Sequence, residues 1–150
     1  MTESPTIHAS AVLVGAKAAL IRGPAGSGKS ALAIALLRSA QQGALAFAHL
    51  VADDRAALQV CSGRLLVRPA QALAGMIELR GLGILRFPFE PVAVIGAVVD
   101  LAAVDAARLP ADVAMTATVQ GVTLSRLPVA PGIDPLGPVL AFLRAQPGGI

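Results

Sequence analysis

The chain has 150 residues, 55% of them hydrophobic and 14% charged, with a mean hydropathy of +0.73, which supplies one substantial core and excludes a disordered chain. Twelve Lys and Arg against nine Asp and Glu leave a net charge of +3, but the basic residues are scattered singly and 3% aromatic content leaves little for bases to stack on. No nucleic-acid partner is therefore expected, and an acidic or phosphate-bearing one fits better.

The N-terminus, MTESPTIHAS, has no basic segment before an apolar one, so no secretory signal is expected. The longest stretch without a charged side chain, Ser39 to Ala52, falls short of the about 20 apolar residues a spanning helix needs. A cytoplasmic protein with no membrane partner is expected. Ala9 to Ile21 is broken at Gly15-Ala16-Lys17 and predicts a hairpin. Gly23 to Gly28 is too rich in glycine for regular structure, and Ser30 to Ala40 then strings helix formers with apolar residues on most faces, predicting a buried helix. His49 to Ala52 reads as a short strand ending at Asp53-Asp54. Ala57 to Cys61 and Arg64 to Arg68 flank Ser62-Gly63 as a second hairpin. The single Cys61 excludes an internal disulfide and is expected to be a small buried hydrophobe. Gly75 to Phe89 reads as an irregular loop, Val92 to Val99 as a strand buried on both faces, Gly121 as the centre of a third hairpin, and Pro135 to Ala145 as a closing helix. No repeat or polar linker divides these pieces. Hairpins together with a strand-loop-helix unit predict a single α/β domain, residues 1–150, with a mixed sheet.

The glycine-rich segment Gly23-Pro24-Ala25-Gly26-Ser27-Gly28-Lys29-Ser30 satisfies G-x-x-x-x-G-K-[ST], with a strand before it and a helix after. Its physics is that of a phosphate cradle: backbone N–H groups turn inward, the helix start adds positive potential, Lys29 supplies a cation to the β/γ-phosphates, and the Ser30 hydroxyl can hold Mg²⁺. ATP and Mg²⁺ are the implied ligands. Asp53 and Asp54 end an apolar strand downstream, where a phosphate-loop protein keeps its metal-organising carboxylate. On extended backbone they point oppositely, so one can serve the metal or its water while the other accepts a proton from an attacking hydroxyl. Glu78 is an acidic residue in the otherwise apolar MIELRGLGIL and is a further candidate metal ligand.

With GPAGSGKS, LVADD and IELRGLGIL in this order, the sequence resembles the catalytic domain of bacterial HPr kinase/phosphorylase, in its short alphaproteobacterial form. The resemblance covers roughly His8 to Pro131 and implies a phosphoenolpyruvate carboxykinase-like fold without the family's separate N-terminal domain. It implies an ATP-dependent serine kinase acting on an HPr-like phosphocarrier of the phosphotransferase system. It implies Asp54 as general base with Asp53 in support, Glu78 and Ser30 as Mg²⁺ ligands, and His8 and Arg108 as further catalytic residues. A hexamer is known for the family, so a homo-oligomer is also implied. Two departures bear on activity. Where phosphorylase-competent members carry P-V-R-P-G-R, this chain has Pro128-Val129-Ala130-Pro131-Gly132-Ile133, so weak or absent phosphorolysis is expected. The acidic residue that often follows the phosphate-loop serine is Ala31. The alternative to a kinase is a non-catalytic module that binds ATP and reports it to a partner.

Overall fold

Strand alternation decides which side chains each face of a sheet buries, and here both faces are covered. The computed structural model describes residues 5–107 and 110–147. In chain order the strands are β1 (Thr6–Ile7), β2 (Ala9–Val14), β3 (Lys17–Arg22), β4 (Ala48–Ala52), β5 (Ala56–Cys61), β6 (Arg64–Pro69), β7 (Met76–Leu79), β8 (Gly83–Arg86), β9 (Ala93–Asp100), β10 (Thr116–Val119) and β11 (Val122–Pro128). Helix α1 (Lys29–Gln41) follows β3, and α2 (Leu136–Arg144) follows β11. A nine-stranded sheet runs in the order β1-β5-β6-β9-β3-β2-β4, with β11 joined to β9 and β10 to β11. Its β9–β3 and β9–β11 pairs are parallel and the others antiparallel, giving the mixed sheet expected from the sequence.

Odd and even positions sort cleanly. Val12 and Val14 of β2 and Ala19 and Ile21 of β3 pack on the face carrying α1 and α2, against Leu32, Leu36 and Leu143. Ala9, Ala11, Ala18 and Leu20 face the other way, into a second core closed by Leu58, Leu65 and Val67 of the β5–β6 hairpin. Each fully buried Leu or Ile contributes roughly 1.5–3 kcal/mol, so neither core is dispensable. Strand β9 serves both. Its register against β3 shifts between Ala18 opposite Ile95 and Ala19 opposite Ala97, leaving Gly96 as the extra residue. Ala93 and Ile95 therefore lie in the second core, and past the bulge Ala97 and Val99 lie in the first. A side chain at position 96 would bring its Cβ within 2.8 Å of the Lys17 stem, which explains the glycine.

Two expectations are corrected. Gly75–Phe89 is not an irregular loop: β7 and β8 form a separate two-stranded sheet, with Leu79 opposite Gly83 and a turn closed by the Leu82 amide donating to the Leu79 carbonyl. Gly81, at positive φ, lies within that turn, and Gly83, also at positive φ, opens β8 opposite Leu79. Cys61 is exposed, because it sits opposite Arg64 at the open tip of the β5–β6 hairpin, beyond the covered part of the sheet. Among the described residues, no helix is long and apolar enough to cross a membrane.

The parallel strands β3, β9 and β11 end together, and their ends are locked by charge. Arg22 at the end of β3 grips Asp100 at the end of β9 through two hydrogen bonds of 2.7 and 2.8 Å. Arg126 of β11 donates to the same carboxylate at 2.5 Å and to Asp105 at 2.7 and 3.0 Å. Burial alone would raise the Asp100 carboxyl, but the two guanidiniums outweigh it and hold the group below its ordinary value. Because the folded value is depressed, this carboxylate's contribution is present above its unfolded value of about 3.9 and is lost as pH falls below that. We predict that Asp100→Asn destabilises the fold by about 2–3 kcal/mol near pH 7 and removes part of the stability loss below about pH 4. Urea unfolding across pH checks both; equal stability of the two proteins at pH 7 would contradict the locking role.

Candidate functional site

A loop that must wrap an anion needs residues whose backbone tolerates unusual angles and whose side chains stay out of the way. Gly23 to Gly28 meets both requirements. Gly26 and Gly28 adopt positive φ of 81° and 100°, and a Cβ at either would meet open space. At Gly23, by contrast, a Cβ would lie 2.5 Å from Ser27 Oγ and 3.1 Å from Leu101, so the loop's first turn closes against the end of β9. Gly28 caps α1 without any side-chain hydrogen bond, and no acidic residue occupies the first turn. The positive end of α1 is thus left for something else to satisfy.

The polar groups around this helix start converge. Lys29 Nζ donates to the Gly23 and Pro24 carbonyls at 2.8 and 3.2 Å, and among the described residues no carboxylate forms an ion pair with it. Ser30 Oγ, one residue on, lies 2.9 Å from both carboxylate oxygens of Asp53 and donates to them. Asp53 itself is buried. Burial pushes its carboxyl up from the ordinary value, the hydroxyls of Ser10 and Ser30 pull it down, and the adjacent Asp54 adds to the rise while Lys29 opposes it.

Asp54 takes the opposite position. It stands at φ 66° in a tight turn closed by the Arg55 amide donating to the Asp53 carbonyl at 2.7 Å, and its side chain is 66% exposed. The two carboxylates point apart, one buried and one exposed, through a turn and not along extended backbone as expected. His8, in the bend between β1 and β2, brings Nδ1 to 3.8 Å from Asp54 Oδ1.

Glu78 is not part of this group of contacts. Glu78 is exposed on β7, opposite Ile84 in the small hairpin, and no group of three or more His, Cys, Asp or Glu forms a metal cluster among the described residues. Arg108 lies outside the described residues. Sequence reasoning missed Ser10, which is fully buried and donates to Asp53 Oδ1 at 2.6 Å. A serine inside an otherwise apolar strand, ASAVLV, was the available signal.

Whether these residues suit a nucleotide phosphate with magnesium can be judged from their chemistry. Ser30 and Asp53 offer hard oxygen donors, the kind Mg²⁺ takes. Lys29 is a cation bonded to neutral carbonyls, the α1 N-terminus is uncapped, and Ser27 Oγ is buried with no hydrogen-bond partner. The residues fit the group.

Fold and loop together define an α/β domain with a phosphate loop at the carboxyl ends of parallel strands, the usual ligand edge of such sheets. Among solved structures, the HPr(Ser) kinase/phosphatase from Coxiella burnetii matches with a TM-score of 0.75 and 21% identity, over 94% of this chain and 89% of that one. This chain has that protein's fold, as the resemblance implied. No protein-family model matches the sequence, and no match was found among curated proteins.

The loop geometry separates two glycine substitutions. Gly23→Ala is expected to push Ser27 and Leu101 aside, lowering both thermal stability and nucleotide affinity, whereas Gly26→Ala is expected to cost only the backbone strain of about 1–2 kcal/mol. Thermal unfolding with and without ATP distinguishes them; similar losses in the two variants would refute the close approach at Gly23.

Proposed function

We propose that the protein is an ATP-dependent serine kinase acting on an HPr-like phosphocarrier protein, using Mg²⁺. The observation that carries this reading is the Ser30–Asp53 contact beneath an uncapped helix N-terminus, with a second carboxylate, Asp54, turned out to where a macromolecular hydroxyl can reach it. The fold shared with the Coxiella HPr(Ser) kinase/phosphatase supports the choice of carrier.

In this reading Lys29 leaves the Gly23 and Pro24 carbonyls for the β/γ-phosphates of ATP, and the loop amides and the start of α1 hold the phosphate oxygens. Ser30 and Asp53 hold the metal, which when bound supplies charge neutralisation on the transferring phosphoryl group. Asp54 accepts the proton of the carrier's serine as its oxygen bonds to the γ-phosphorus and the bond to ADP breaks. His8, close to Asp54 Oδ1, biases where that carboxylate points.

Phosphorolysis runs the transfer backwards with inorganic phosphate as nucleophile, and two anions meeting need cations to hold them. Ala130 and Ile133 supply none. Two nearby arginines are engaged elsewhere. Arg126 spends its donors on Asp100, Asp105 and the Ala114 carbonyl, and Arg144 donates to the Ala44 carbonyl. Kinase activity with weak or absent phosphorolysis follows.

The test incubates purified protein with labelled ATP, Mg²⁺ and an HPr-type carrier and follows label on the carrier's serine. Asp54→Asn is expected to keep ATP affinity within a few-fold while transfer falls about 10²-fold or more, and Lys29→Ala to abolish useful MgATP binding with the fold intact. Transfer by Asp54→Asn at the wild-type rate would refute the base, and absence of any transfer with ATP bound would favour an ATP-sensing module. Supplying serine-phosphorylated carrier and millimolar phosphate is expected to release pyrophosphate far more slowly than the forward reaction runs; comparable rates would overturn the directional reading.

A further inference from the structure

Ser10 is a buried polar side chain in a strand that otherwise carries only apolar ones, and its position follows from the sheet register. Strand β2 pairs with β4 with Val12 opposite Leu50 but Ala11 opposite Ala52, so β4 carries an extra residue at Val51. Continued past that bulge, the register sets Asp53 opposite Ser10; without it, Ser10 would face Ala52. Period-2 alternation puts Ser10 on the same face as Val12 and Val14, the face covered by α1, where Ser30 begins the helix.

The contacts follow that placement. Ser10 Oγ donates to Asp53 Oδ1 at 2.6 Å and lies 3.5 Å from the Asp54 amide, which donates to it. Ser30 Oγ reaches Asp53 from the other side. One fully buried hydroxyl therefore touches the carboxylate of one aspartate and the backbone of the next. Because the hydroxyl is fully buried, its loss leaves partners that bulk solvent does not reach.

We infer that Ser10 is a positioning residue for the metal-bound nucleotide: it orients the Asp53 carboxylate toward Ser30 and pins the turn that presents Asp54. This rests on the kinase reading of the site and adds a residue that neither the phosphate-loop motif nor the aspartate pair contains. Partners that orient a metal's ligands commonly change metal affinity by 10-fold or more when removed, without touching the metal.

The experiment is a calorimetric titration of ATP into the protein, once with saturating Mg²⁺ and once with EDTA. For Ser10→Ala the expected result is an affinity for MgATP lower by about 10-fold or more with metal-free ATP binding unchanged, so that the gain conferred by the metal shrinks. Ser10→Cys, close in size but a weak donor, is expected to shift in the same direction without opening a cavity, and it serves if the alanine variant does not fold. Ser39→Ala is the control: that serine is also buried, but it donates to the Ala35 carbonyl within α1, so its loss is expected to leave the metal's gain intact.

In the transfer assay Ser10→Ala is expected to raise the Mg²⁺ concentration needed for half-maximal rate more than it lowers kcat at saturating metal. Wild-type affinity for MgATP in Ser10→Ala, equal weakening with and without metal, or the same metal-specific loss in Ser39→Ala would each overturn the inference while leaving the kinase reading standing. If the wild-type protein binds no MgATP, the kinase reading fails and this inference falls with it.

Discussion

Parallel pairing of β9 with β3 on one edge and β11 on the other is the constraint from which the site follows. Parallel strands end on the same side, so Arg22, Asp100 and Pro128 arrive together at one edge of the sheet, and the loop after β3 opens there. Backbone bonds extend the join past the strand ends: the Leu101 amide donates to the Arg22 carbonyl and the Val129 amide to the Asp100 carbonyl, each at 2.8 Å. Leu101 then packs where a Gly23 side chain would be, and the phosphate loop starts on a rigid floor. Without the parallel register, the glycine segment would be an unsupported turn.

That edge carries charge on one face and the candidate site on the other. In β3 and β9, the residues facing α1 are apolar up to Ile21 and Val99, while Arg22 and Asp100 continue the alternation of the opposite face, after Leu20 and Val98. The ion network therefore braces the strand ends from behind, while Lys29 lies beside the loop, bonded to its Gly23 and Pro24 carbonyls. Arg22 and Arg126 are thereby engaged in holding the strand ends together.

Much of this was readable from residues. The phosphate loop, its flanking strand and helix, the β2–β3, β5–β6 and β10–β11 hairpins and the closing helix all carry local signals, because turn glycines and apolar periodicity act over a few residues. What was not readable depends on pairing between distant strands. The bulge at Val51 that sets Asp53 opposite Ser10 is a relation between two strands and leaves no mark in either alone. The same holds for Arg126, whose partners Asp100 and Asp105 come from another strand and the loop after it. Residue type alone points Cys61 inward, whereas the hairpin tip extends past the core that covers its base. In the β7–β8 hairpin, Gly81 and Gly83 suggest a break as readily as a turn, and the choice rests on whether Met76 and Arg86 can pair.

Burial also sets two identical side chains apart. A carboxylate under the helix start has lost most of its water and is held by two hydroxyl donors, so Asp53 has lone pairs fixed in direction and little hydration to shed before binding a cation. Such a group is a poor proton acceptor for a bulky partner, because a protein hydroxyl cannot follow it beneath α1. Asp54, displaced by a positive-φ turn that costs an L-residue of order 1 kcal/mol, has the reverse properties: it is hydrated, reachable and close to His8. Relaxing that turn to extended backbone would recover the strain but lift the Asp54 amide away from Ser10 Oγ and alter the exit of the chain toward β5. The strained conformation persists because the Ser10 hydroxyl, the Asp53 carbonyl bonded to the Arg55 amide, and the β1–β5 pairing that begins just beyond it all require the same path.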